Sequence, residues 1–337
     1  MGHATSLILQ RVSNRLASLL RKQVMMTRWQ SAALTLLLPV TMLGCRSLTP
    51  YSEIAAAIPE SNLIEIEDQR IYVETSGKDS NAPPIVLLHG FAASTYSFRE
   101  LMPPLAETRR VIALDLNGFG FTERPTAPET YSLPQQMETI AKVLAQMGVD
   151  DFDLVGHSYG TVIASAFAVA HPERVQHLVL ISPMAGFEPP PWYLKNPAGK
   201  WVALGLVRVL VSRPDKFEGF LKNAYHQQEI LSPEVAEEYR RRLAIEGLDD
   251  AFWGFAQSMS GASNESLPYQ QIKTPTLVVA GRHDQVVDPK QSTQVSEAIN
   301  GATLWFLENS GHSGPEEEPG ALSDAILRFT ESDKPSP

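Results

Sequence analysis

Cysteine is almost missing from this sequence: among 337 residues only Cys45 carries a thiol. One thiol cannot close a disulfide within the chain, so no disulfide framework holds it together. A zinc or iron–sulfur centre built on several thiolates is excluded on the same ground. Basic residues are also scarce, 28 against 38 acidic ones for a net charge of −10. That balance excludes the cationic surface nucleic acid requires. No apolar run reaches the roughly 20 residues that a helix needs to cross a bilayer core. Acidic residues, finally, are absent from residues 1–44, which contain Arg11, Arg15, Arg21, Lys22 and Arg28, so residues 45–337 carry −15. A basic, acid-free leader signals targeting, not fold.

Within that leader, residues 29–44 are uncharged and residues 32–38 are strongly apolar, the size of a signal-peptide core behind Arg28. The run ends in Met42-Leu43-Gly44-Cys45, which resembles a bacterial lipobox, where the cysteine is lipidated and becomes the first mature residue. Gly44 fits that pattern, and Met42 and Leu43 fit it loosely. The resemblance implies an exported lipoprotein of the cell envelope, held to the membrane through Cys45. Met25 or Met26 would open a signal of ordinary length, leaving residues 1–24 as an upstream extension. An uncleaved anchor is one alternative. An organellar transit peptide is another, since Arg11, Arg15, Ser18 and Lys22 fall along one helical face.

Residues 45–60 read as a linker. Leu63–Glu67 and Ile71–Glu74 alternate about Asp68-Gln69 as a hairpin should. Continuous apolar runs follow at 84–88, 111–114, 152–155, 178–181 and 276–280, as expected of buried parallel strands, with a last strand at 304–307. Helical patterns at 135–147, 161–170, 290–299 and 321–329 fall between and after them. This alternation predicts an α/β fold with a mostly parallel central sheet flanked by helices. The core spans residues 61–184 and 269–332. Residues 185–268 interrupt it with a helical insertion broken at Pro189-Pro190-Pro191 and Pro214.

Gly156-His157-Ser158-Tyr159-Gly160 sits between the run 152–155 and the helix 161–170. A serine on so tight a strand-to-helix turn points outward, and the flanking glycines let strand and helix close around it. A serine hydroxyl needs a histidine to take its proton, and the imidazole needs an acid to fix its tautomer. Downstream, the run 276–280 leads into Gly281-Arg282-His283-Asp284, and the run 304–307 into Gly311-His312. His312 is the favoured base and Asp284 the favoured acid, because Asp288 before Pro289 reads as a helix N-cap. His157, His171 and His283 read as structural. The backbone N–H groups of Tyr159 and of Phe91, in the loop after the run 84–88, are placed to hold an oxyanion.

These residues resemble the α/β-hydrolase fold family over most of residues 60–332. The likeness rests on His89-Gly90-Phe91, residues 115–120, Gly156–Gly160, Gly281–Asp284 and Gly311-His312, all in the family's order, and on the Glu316-Glu317-Glu318-Pro319 ending. It implies Ser158 as nucleophile, His312 as base, Asp284 as the orienting acid, Phe91 and Tyr159 as oxyanion residues, and 185–268 as a cap over the site. The implied enzyme is a serine hydrolase, foremost of a small, fairly apolar carboxylic ester, needing no metal or organic cofactor. Cleavage of a C–C or amide bond on the same triad, or a non-catalytic binder on the scaffold, are the alternatives. Haloalkane dehalogenases and epoxide hydrolases of this fold carry aspartate where Ser158 stands, which disfavours their chemistry.

Overall fold

Eight strands carry the apolar runs: β1 (Leu63–Ile66), β2 (Gln69–Ser76), β3 (Ile85–Leu88), β4 (Val111–Leu114), β5 (Phe152–His157), β6 (Val175–Ile181), β7 (Thr276–Gly281) and β8 (Thr303–Leu307). They form one sheet in the order β1-β2-β4-β3-β5-β6-β7-β8. β1 and β2 make the expected hairpin, β2 joins β4 antiparallel, and every later pairing is parallel. The structure is a computed structural model and describes residues 48–78, 80–186, 197–262, 267 and 269–331. The leader 1–44 and Cys45 lie outside the described residues.

Strand composition explains the layering. In β3, Val86 and Leu88 enter one apolar cluster while Ile85 and Leu87 enter the other; Ile112 and Leu114 alternate with Val111 and Ala113 in β4 in the same way. A strand buried on both faces must be apolar at every position, as these are. Eleven helices surround the sheet among the described residues: α1 (Tyr51–Ala57), α2 (Met102–Ala106), α3 (Leu133–Gln146), α4 (Tyr159–Ala170), α5 (Pro197–Ser212), α6 (Pro214–Leu221), α7 (Pro233–Leu243), α8 (Leu248–Ala262), α9 (Pro289–Ala298), α10 (Gly314–Glu317) and α11 (Pro319–Glu331). α3, α4 and α9 supply Val143, Phe167 and Val295 to one layer, and α2 and α11 supply Leu105 and Ile326 to the other.

Two features differ from the sequence reading or extend it. The span 45–60, expected to be a linker, is folded onto the protein from its first described residues. Thr49 N–H donates to Ala244 O at 2.8 Å, Glu246 N–H donates to Thr49 O at 2.9 Å, and Tyr51 and Ile54 of α1 are buried. Proline and small residues masked this in the sequence, because the partner is 195 residues away. The insertion, in its described part, consists of helices α5 to α8, two of whose buried aromatics, Phe217 and Tyr239, join the layer under α4. The whole sheet and both layers lie within the unit Ser47–Pro337.

Candidate active site

Ser158 follows the last residue of β5 and precedes the first of α4. Its backbone stands at φ 52° and ψ −119°, a region that L-residues occupy at a cost of about 1–3 kcal/mol. The turn is enforced by close packing. A Cβ on Gly160 would lie 2.3 Å from Leu88 O, and one on Gly156 would lie 2.5 Å from Gly160 O, so neither position tolerates a side chain. Across the gap, a Cβ on Gly90 would lie 3.0 Å from Ser158 Cβ and 3.5 Å from its Oγ. The Ser158 side chain therefore abuts the 89–91 loop at Gly90. Tyr159, at the first position of α4, has an N–H with no carbonyl one turn earlier to bond.

The ends of β7 and β8 bring Asp284 and His312 together. His312 Nδ1 lies 2.8 Å from Asp284 Oδ2, and both residues are buried. Asp284 Oδ1 accepts from Val286 N at 2.8 Å and Val287 N at 2.9 Å. Burial alone would raise this carboxyl, but the bond and charge of His312 and the two N–H groups outweigh it and hold Asp284 below the usual carboxylate range. Asp288 stands apart as the N-cap of α9, accepting from Lys290 N at 3.0 Å. His157 links the two halves of the site, its Nε2–H donating to His312 O at 2.8 Å. Burial, followed by the nearby His312, pushes His157 down to about 3, so it stays neutral.

The 89–91 loop is fixed with equal economy. Buried His89 accepts Leu116 N–H at Nε2 (3.0 Å) and donates from Nδ1 to Gly90 O (2.8 Å), the neutral tautomer that burial favours by pushing it down to about 4. Asp115 Oδ1 and Oδ2 take Thr95 N and Phe121 N at 2.6 and 2.7 Å. Gly120, at φ +56°, lets that carboxylate sit where a Cβ would be, 1.9 Å from Oδ2.

A model of the α/β hydrolase fold family matches residues 83–319. The chain belongs to this family. A 2-hydroxymuconate semialdehyde hydrolase of Pseudomonas sp. strain CF600 is 30% identical to this α/β hydrolase over 76% of its chain and 90% of the relative's. Epoxide hydrolase 4 of Mus musculus is 26% identical over 73% and 72%. Among solved structures, the enol-lactonase of Burkholderia xenovorans LB400 superposes with a TM-score of 0.67 at 20% identity, covering 80% of this chain and all of the other; at that identity the likeness is one of fold.

Three further parts of this hydrolase's site were not visible in its sequence. From α8, Phe255 lies against Phe91 and Tyr159 with ring centroids 4.5 and 4.7 Å apart, and Phe252 lies 5.2 Å from Phe91. An aromatic of the insertion reads equally as pocket lining or as helix packing, because nothing in the pattern says which face meets the core. Second, the acidic run beyond His312 holds the insertion down. Buried Glu316 accepts from Tyr225 and Tyr239 hydroxyls at 2.9 and 2.6 Å and pairs with Arg99. Glu317 accepts from the N–H groups of His226, Gln227 and Gly311 at 2.7 to 2.8 Å. Third, buried Arg124 donates to Arg242, Leu243 and Ile245 carbonyls at the C-terminus of α7 and to Gly120 O.

Proposed function

We propose that this α/β hydrolase is a serine hydrolase whose first substrates are small, fairly apolar carboxylic esters. The observation that carries the reading is the strained serine at the elbow combined with the 2.8 Å His312–Asp284 bond. His312 Nε2 takes the Ser158 Oγ proton as Oγ attacks the ester carbonyl. The oxyanion rests on the N–H groups of Phe91 and Tyr159, and Asp284 holds the imidazolium in place. His312 returns the proton to the leaving alcohol, and water then releases the acyl group by the same steps. The rings of Phe91, Phe252, Phe255 and Tyr159 beside the serine support an apolar acyl part.

Ser158→Ala is expected to lower kcat on p-nitrophenyl esters by about 10⁶, as for other triad nucleophiles; turnover at the parent rate would refute the assignment. Likeness to the muconate semialdehyde hydrolase supports a second reading, C–C bond hydrolysis on the same triad. A panel of esters of rising chain length, with a vinylogous diketone and an amide beside them, separates the two by their kcat/KM. We further propose that Cys45 bears a lipid in the cell envelope. Labelling with radioactive fatty acid tests this, and label retained in Cys45→Ser would overturn it.

A further inference from the structure

The order of the sheet sets a difficulty for the proposed reaction. Ser158 follows β5 but His312 follows β8, and β6 and β7 lie between those strands. At the usual strand spacing, β5 and β8 run roughly 14 Å apart, so the loop after β8 must reach back across two strands. A misplacement of about 1 Å in that reach can cost about 10²-fold in rate. His312 is held at three points. Its Nδ1 meets Asp284 Oδ2, its N–H donates to Ala224 O, and its C=O accepts from His157 Nε2–H, each at 2.8 Å. Asp284 follows β7 and Ala224 belongs to the insertion, so only the third bond comes from the serine's own turn. Among the described residues it is the one hydrogen bond between residues 156–160 and 308–313.

His157, which the sequence alone offers as structural, is suited to that tie. It is the last residue of β5 and directly precedes Ser158, so a bond from its ring carries the position of the nucleophile's backbone to the base. The ring is buried, and burial keeps it neutral with a single proton. A carbonyl can only accept, so that proton sits on Nε2 and Nδ1 is bare. Nδ1 is itself buried and has no partner among the described residues. A buried nitrogen in that state costs stability that an apolar side chain of similar size would not. Packing alone therefore gives no reason for a histidine here, whereas the bond to His312 O does. The two imidazole rings also lie 4.9 Å apart at 45°, so the same side chain backs the base.

We propose that His157 is a positioning residue, holding His312 at the distance from Ser158 that proton transfer requires; this rests on the serine reading above. Three variants of the full chain test it. His157→Leu removes the donor at similar volume, His157→Gln places an amide N–H near the former Nε2, and His157→Asn carries the same amide one bond short. On p-nitrophenyl acetate the Leu and Asn variants are expected to lose about 10- to 100-fold in kcat, with KM within about twofold of the parent. The rate at which a fluorophosphonate labels Ser158 is expected to fall by the same factor, and this arm holds whichever bond the enzyme cleaves. The Gln variant is expected within about threefold of the parent on both measures. Should the Leu variant fail to fold, Gln against Asn decides. Parent-like rates in the Leu variant would overturn the proposal, as would a Gln variant that loses as much as Leu or Asn. A parent that takes no label would instead remove the serine reading, and the proposal with it.

Discussion

Phe255 reaches the rings of Phe91 and Tyr159, the two residues whose backbone N–H groups are proposed to hold the oxyanion. On the proposed ester reading, a side chain so placed sets the depth available to an acyl group. Phe255→Ala is therefore expected to move the ester chain-length optimum upward, raising kcat/KM for long acyl chains by roughly tenfold relative to short ones, about 1.4 kcal/mol of differential binding. An unchanged profile would remove Phe255 from the pocket. The residues of the proposed triad were legible in the sequence because their chemistry demands particular residue types at strand ends. Phe255 was not, since an aromatic in an amphipathic helix looks the same whether it faces core or ligand.

At the scale of elements, Arg124 joins the loop after β4 to the end of α7. It is buried, and its guanidinium donates to four carbonyls, of which Arg242 and Leu243 O are among the last acceptors of α7 and Ile245 O lies just beyond it. Burial pushes it down to about 10, which still leaves it charged at neutral pH. Arg124→Met keeps the volume and takes their donor from Arg242 O and Gly120 O, while Leu243 and Ile245 O keep a backbone N–H, so a loss of about 3 kcal/mol is expected in denaturant unfolding. A loss below about 1 kcal/mol would show that α7 is held in place without this tie. The strands were plain in the sequence, being short unbroken apolar runs. This tie was not, because an arginine in a loop gives no sign of a carbonyl set 118 to 121 residues onward.

For the whole molecule, pH acts through groups that the fold keeps neutral. His89 titrates at about 4 when folded, below its ordinary 6.5. The unfolded chain therefore binds a proton that the folded one refuses between these values, and stability from this group falls as pH drops through that window. His89→Gln, which keeps an acceptor for Leu116 N, removes the effect. The parent's advantage over this variant should grow from pH 4 to 6.5, by up to roughly 3 kcal/mol, and stay level above it. A constant gap, read from guanidinium unfolding at several pH values, would contradict the neutral tautomer. The α/β architecture was legible because the helix–strand rhythm is local. The anchoring of residues 48–51 was not, since it depends on one long-range pairing.

The latch made by Glu316 and Glu317 has a consequence for synthesis. Both carboxylates follow the last strand, β8, yet they hold Tyr225, His226, Gln227 and Tyr239 of the insertion. Residues 48–51, emerging early, likewise await residues 244–246. The helices of the insertion thus cannot be fastened until the segment that follows β8 has been made. A chain stopped before Glu316 would carry Ser158 with Tyr225 and Tyr239 of the insertion left without the carboxylate that both hydroxyls bond.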